Sequence, residues 1–190
     1  MRIGLYFGSF NPIHIGHLII ANHVLNHCDL DRIWFVVSPH NPLKESASLL
    51  NESHRMHLVQ LAIENESKFK ASNVEFKLPR PSFTIDTMTH LTEKYPEHSF
   101  SIIMGSDSFQ NIKKWKNYTA LLQQFQIIIY NRPNSTIDLS LSNKLQVVDA
   151  PLLDISSTYI RNLIKERKSI RYLVTDEVMN DIKANGYYRS

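Results

Sequence analysis

His14 and His17 stand three residues apart at the end of the run Gly8-Ser9-Phe10-Asn11-Pro12-Ile13-His14-Ile15-Gly16-His17. An apolar stretch of strand length, Arg2 to Phe7, precedes this run, and a stretch that reads as a helix, Leu18 to Asn26, follows it. Residues three apart share one side of a helix's first turn. Gly16 between them lets a ligand come close to the backbone, and Pro12, which has no N–H, suits a helix entry. Free amides of such a turn, added to the helix dipole, favour an anion. A strand-to-helix turn is also where a parallel α/β sheet receives a phosphate. Two imidazoles placed there can donate hydrogen bonds to phosphate oxygens whose charge grows during a displacement. The competing readings are a zinc-ligating pair or two ordinary surface histidines, and cysteine or acidic partners for zinc are missing nearby.

A second group of anion-binding residues lies far along the chain, in Ile155-Ser156-Ser157-Thr158-Tyr159-Ile160-Arg161. Ser156, Ser157 and Thr158 bring hydroxyls and amides to a helix start, and Arg161, one turn on, can reach the same anion with its planar fork. A plain capped helix with a solvated arginine is the alternative. Gly105-Ser106-Asp107 ends an apolar strand. A carboxylate in that place commonly accepts from ribose hydroxyls, and Asp107 could also serve as an N-cap. Thr84-Ile85-Asp86-Thr87 opens a helix whose N-terminus favours a carboxylate ligand. Asp86 itself reads as a cap or first-turn acid buried against the backbone. Trp115 sits in a polar, basic stretch, Lys113 to Lys116, with no apolar periodicity, which is unusual for a core tryptophan.

These elements are arranged in alternation. Strands are expected at Arg2–Phe7, Arg32–Val37, Asn73–Leu78, Phe100–Met104, Phe125–Tyr130 and Leu145–Val148. Helices are expected from Leu18, after an Asn51 cap, after Ser82 or Thr84, over Asp107–Trp115, after Ser156 or Ser157 to about Lys165, and over Asp176–Asn185. Apolar strands alternating with helices imply an α/β fold: a doubly wound, Rossmann-like, mostly parallel sheet with helices on both faces. The ligand then lies beyond the carboxyl ends of the strands, where the motifs cluster. With 190 residues, 43% of them hydrophobic, the chain reads as one domain, residues 1–190, whose part from 155 to 190 is helical. A net charge of +3 is too mild to argue for nucleic acid. The single cysteine, Cys28, permits no intrachain disulfide and reads as a packing residue. No apolar run reaches the roughly 18 residues that a membrane span needs, so the expectation is a cytoplasmic protein with no membrane partner.

The chain resembles the bacterial nicotinate-nucleotide adenylyltransferases along nearly its whole length. His14-Ile15-Gly16-His17 is similar to the HxGH signature of nucleotidyltransferases, and residues 155–161 to an ISSTxIR signature. Two widely separated motifs together are far more specific than either alone. HxGH also occurs in class I aminoacyl-tRNA synthetases, which are much longer and carry a KMSKS loop not seen here. The resemblance implies that Gly8, Ser9, Phe10, His14, His17, Gly105, Asp107, Arg132, Ser156, Ser157, Thr158 and Arg161 bind ATP. Within that set Asp107 would hold the ribose. Arg132-Pro133, like an RPG turn with Asn134 in place of glycine, would lie near the adenine. Thr84 and Ile85, in a segment like YTxDT with Phe83 replacing tyrosine, would meet a nicotinate carboxylate with their amides. Trp115 would stack on the pyridine ring, and the Lys116 amide would meet its carboxylate. Ser38 to Lys44 resembles a PPHK loop altered by Asn41-Pro42-Leu43, and Lys44 would contact phosphate.

The reaction so implied is transfer of AMP from ATP to nicotinate mononucleotide, with in-line attack and no covalent intermediate. His14, His17 and Arg161 would be the catalytic residues, acting by position and charge. Magnesium would be delivered with ATP, with no resident metal site. The alternatives are the same reaction on nicotinamide mononucleotide or phosphopantetheine, and a non-catalytic nucleotide-binding module.

Overall fold

The computed structural model describes residues 1–39, 49–133, 135–151 and 153–189. Six strands run along it: β1 Arg2–Gly8, β2 Arg32–Val37, β3 Phe69–Ser72, β4 Ser99–Gly105, β5 Gln126–Tyr130 and β6 Leu145–Val148. All pairings are parallel, in the order β3-β2-β1-β4-β5-β6. In register, Leu5 of β1 lies beside Trp34 of β2 and Ile102 of β4. Among the described residues the helices are α1 Ile15–His27, α2 Glu52–Ile63, α3 Thr84–Lys94, the short α4 Ser106–Phe109, α5 Tyr118–Gln124, α6 Ser157–Lys165 and α7 Asp176–Asn185.

The strand side chains alternate between two cores. Tyr6, Phe35, Ile103 and Ile128 point to one face, where α1, α2, α6 and α7 contribute Val24, Leu58, Ile160 and Ile182. Leu5, Val36, Ile102 and Ile129 point to the other, against Met88 of α3, Phe109 of α4 and Leu121 of α5. Burial on both faces is why these strands are apolar at successive positions and show no period of two. Each fully buried aliphatic side chain contributes about 1.5–3 kcal/mol.

The chain runs outward from β1 through β2 to β3, then returns to place β4 on the other side of β1. The strand order reverses between β1 and β4, and the crevice above that point is where such sheets bind ligands.

Three expected elements differ. Residues 73–78 do not form the third strand: β3 is Phe69–Ser72, and Val74–Lys77 is a 3₁₀ turn. The apparent alternation put Val74 and Phe76 inside, but Glu75 is the buried residue, at 2% exposure. The helix expected over Asp107–Trp115 breaks into α4 and a 3₁₀ turn, Ile112–Lys114. Gly105, not Asp107, is the N-cap of α4. Helix α1 starts at Ile15, with His14 as its N-cap, three residues earlier than its apolar content suggests. No helix among the described residues is long and apolar enough to cross a membrane.

Candidate active site

The turn after β1 is built on a ring of aromatics. Phe10 adopts φ 44°, a left-handed conformation that bulky residues rarely take. Its ring, 2% exposed, packs against Tyr6, His17 and Phe35 at centroid distances of 5.9, 5.1 and 5.7 Å. That burial offsets the backbone strain. A Cβ on Gly8 would stand 2.8 Å from the Phe10 ring, so the turn needs glycine there. Phe10 can therefore face a ligand with its backbone only.

His14 and His17 meet as the spacing implied. Their rings stack at 3.7 Å with 29° between planes. The His14 backbone N–H donates to His17 Nδ1 at 3.2 Å. A nitrogen that accepts from an amide carries no proton, so the His17 proton resides on Nε2, the opposite edge of the ring. His14 is nearly buried, at 7% exposure, and its Nδ1 has no hydrogen-bond partner among the described residues. Burial, reinforced by the Arg132 guanidinium, lowers the His14 pKa from its ordinary 6.5 to about 4. His14 is thus a neutral imidazole at physiological pH. The amides of this helix start are less available than the sequence suggested. Ile15 N–H donates to Leu173 O at 2.9 Å, and His17 N–H to His14 O at 2.9 Å. Fewer backbone donors are therefore left at this helix start for a ligand.

The second motif docks onto the same turn. Ser156 caps α6 by accepting from Tyr159 N–H at 3.1 Å. Ser157 Oγ donates to Pro12 O at 2.8 Å, and Arg161 Nη1 donates to Asn11 O at 2.8 Å. Arg161 Nη2 also donates to Thr158 Oγ1 at 3.2 Å. Two of the five guanidinium N–H groups are thus spent on anchoring.

At the end of β4, a Cβ on Gly105 would stand against the Asp107 carboxylate, the movable end of an exposed side chain. Asp107 pairs with Arg132 Nε at 3.6 Å. Arg132 is held by its own backbone N–H, which donates to Ser106 Oγ at 2.7 Å, and by Nη2, which donates to Tyr130 OH at 3.4 Å. Tyr130 OH in turn bonds Tyr6 OH at 3.3 Å. Arg132 therefore reaches back over the sheet end towards Asp107 and His14.

A pocket of about 280 Å³ opens at the crevice between β1 and β4. Gly8 and Ser9 after β1, Gly105 at the end of β4, and Thr84, Trp115 and Lys116 are among its lining residues. His14, His17, Asp107, Arg132 and the α6 motif are not on its wall. The site thus has a pocket lined from α3 and the Trp115 segment, with the α1 and α6 residues outside it. Trp115 is half-buried. The first two amides of α3, those of Thr84 and Ile85, have no intrahelical acceptor, whereas Asp86 and Thr87 N–H both donate to Phe83 O. The Ile85 side chain is in the core, so only its backbone can face the pocket. Neither Ser82 nor Thr84 caps α3, whose N-cap is Phe83. Asp86 is not buried against the backbone. It is half-exposed and receives Lys116 Nζ at 2.9 and 3.0 Å. Lys44, Asn134 and the altered part of the 38–44 loop lie outside the described residues.

Two supports escaped the sequence. Arg55 of α2 is fully buried and donates to Leu50 O, Ser9 O, Ser38 O and Pro39 O at 2.5 to 3.0 Å. It ties the ends of β1 and β2 together beneath the site. Glu75 lines the pocket and accepts from Ser82 and Thr87. Each is a charged residue, for which solvent exposure is the ordinary reading.

Comparison with known proteins agrees with this arrangement. Residues 5–163 match the cytidylyltransferase-like family model. A Flavobacterium johnsoniae protein named "Probable nicotinate-nucleotide adenylyltransferase" is 50% identical over all of both chains. A protein of the same name from Cytophaga hutchinsonii is 51% identical, over 99% of this chain and 98% of its own. Among solved structures, the Plasmodium falciparum nicotinic acid mononucleotide adenylyltransferase complexed with NaAD has the same fold, with a TM-score of 0.82 and 23% identity. That match covers 98% of this chain and 97% of the other. By motif and by full-length similarity, the chain belongs to the nicotinate-nucleotide adenylyltransferases, within the cytidylyltransferase-like family.

Proposed function

We propose that this protein transfers AMP from ATP to nicotinate mononucleotide, forming nicotinate adenine dinucleotide and pyrophosphate. An oxygen of the mononucleotide 5′-phosphate forms the new bond to the α-phosphorus of ATP. The bridging α–β P–O bond breaks, and its electron pair leaves on pyrophosphate. The nucleophile is already ionised, so no strong general base is needed, and catalysis is positioning with charge stabilisation. The observation that carries the reading is the docking of α6 on the Asn11–Pro12 turn. It brings Arg161 to the turn that leads into the two histidines, more than a hundred residues away in sequence.

In this reading His17 Nε2–H stabilises charge at the α-phosphorus, and His14 positions phosphate. Arg161, with Ser156, Ser157 and Thr158, holds the departing pyrophosphate. Gly8, Ser9, the Phe10 backbone and Gly105 let ATP lie against the sheet end. Asp107 receives the ribose once its contact with Arg132 is released, and Arg132 turns to the nucleotide. Trp115 stacks on the pyridine ring, the Thr84, Ile85 and Lys116 amides meet its carboxylate, and Lys44 contacts phosphate. Magnesium belongs to the substrate as MgATP, coordinated by phosphate oxygens and water as that ion usually is. The cytoplasm, where ATP is held, is the compartment this reading implies.

The N-terminus of α3 at the pocket favours an acid over an amide, because a helix N-terminus interacts more strongly with a carboxylate. Pyrophosphate release from MgATP is expected with nicotinate mononucleotide, less with nicotinamide mononucleotide, and not with phosphopantetheine. Release with phosphopantetheine alone would refute the pyridine assignment. No release with any of the three would leave a nucleotide-binding module.

A further inference from the structure

Glu75 is a costly residue for its position. Its side chain is buried on the pocket wall, and no lysine, arginine or histidine pairs with it among the described residues. Burying a carboxylate without a cation is unfavourable unless hydrogen bonds compensate. Here hydroxyls do so. Ser82 Oγ donates to Oε2 at 3.1 Å and Thr87 Oγ1 to Oε1 at 2.9 Å, with the Ser38 hydroxyl as a third donor. Burial still pushes the Glu75 carboxyl above its usual range, against the pull of those three donors.

The three hydroxyls come from three segments: the end of β2, the loop before α3, and the first turns of α3. A carboxylate only accepts, so all three are set as donors and drawn inward. Thr87 illustrates the pull. A helical threonine bonds back to the carbonyl four residues earlier, and that bond, to Phe83 O, is long here at 3.4 Å, while the bond to Glu75 is short. On the outer side, the Asp86–Lys116 pair joins the same turn to the Trp115 segment. The N-terminus of α3 is therefore held from inside and outside at the mouth of the pyridine end.

We propose that Glu75 is a positioning residue for the pyridine nucleotide: its bonds to Thr87 and Ser82 set the α3 turn whose Thr84 and Ile85 amides receive the nicotinate carboxylate. The inference rests on the function proposed above. A glutamine is isosteric but offers one accepting oxygen and an NH₂ that cannot accept, so one of the two bonds is lost or reversed.

The test is steady-state kinetics of Glu75→Gln and of Thr87→Val, which breaks the same contact from the helix side. Both are expected to raise KM for nicotinate mononucleotide about five-fold, the worth of one hydrogen bond. KM for MgATP and kcat are expected to stay within about two-fold. The double variant should be little worse than the worse single variant, because both remove one contact. A merely structural role would instead lower the melting temperature and shift both substrates together, and that outcome overturns the proposal. So does an unchanged KM for the mononucleotide in the folded variants. If Glu75→Gln fails to fold, Thr87→Val and Ser82→Ala each remove one of the two bonds from the other side. A wild-type protein inactive with nicotinate mononucleotide would overturn the functional reading itself. An active wild type with unshifted variants would overturn only the role of Glu75.

Discussion

The two histidines differ in their surroundings. His17 has its Nδ1 occupied by the His14 amide, so its Nε2 is a fixed donor. Losing a donor that acts on transition-state charge costs about 10²–10³ in kcat. His17→Ala should show that loss by pyrophosphate release while its circular dichroism spectrum stays native; near wild-type turnover would remove His17 from the mechanism. His14 carries a different signature. The unfolded chain protonates this ring at its ordinary 6.5, whereas the folded protein resists to about 4. Below pH 6.5 the unfolded state therefore binds the extra proton, and stability falls as pH drops, levelling off near pH 4. The contribution at pH 5 is about 2 kcal/mol. Urea denaturation at pH 7.5 and 5 should show it in the wild type and not in His14→Asn; equal pH dependence in both would exclude His14 as its source. The pair was legible because a three-residue spacing on a helix start is a local fact. The lowered pKa was not, because burial and the neighbouring Arg132 come from β1 packing and from the end of β5.

At the scale of elements, most strands and helices followed from local pattern. Strand β2 and helix α7 occupy the residues expected, because an unbroken apolar run and a capped amphipathic run each have one satisfactory solution. Residues 73–78 failed because alternation is only a statement about faces. The burial of Glu75 inverted which face was inward. Arg55 is the second case: on α2 it shares a turn with exposed residues, yet it fastens four carbonyls from the ends of β1, β2 and their following loops. Arg55→Met fills the space but leaves those carbonyls unpaired, at a cost of about 3–5 kcal/mol. For a chain of this size that is roughly a 10 °C fall in melting temperature. A differential scanning measurement showing a shift under about 2 °C would mean that water or other donors replace the guanidinium.

For the whole molecule, the sheet order decides where function can sit. Reversal between β1 and β4 opens one crevice, and the ends of those strands carry Gly8 and Gly105 at its edges. The same topology places the pocket lined by Thr84 and Trp115 apart from the residues of α1 and α6. A small aromatic acid and a long triphosphate make two different demands. By itself the sequence determined the α/β class and marked residues 8–17 and 155–161 as two segments whose side chains suit an anion. These depend on side-chain type and on spacings within a turn or two. Only the tertiary structure decided that Arg161 anchors to Asn11, that Arg132 pairs with Asp107, that Asp86 faces Lys116 outside, and that Arg55 and Glu75 brace the site from within. Those contacts join residues tens to more than a hundred positions apart. Whether a charge is buried and what it bonds depends on which elements pack around it, and no local pattern records that.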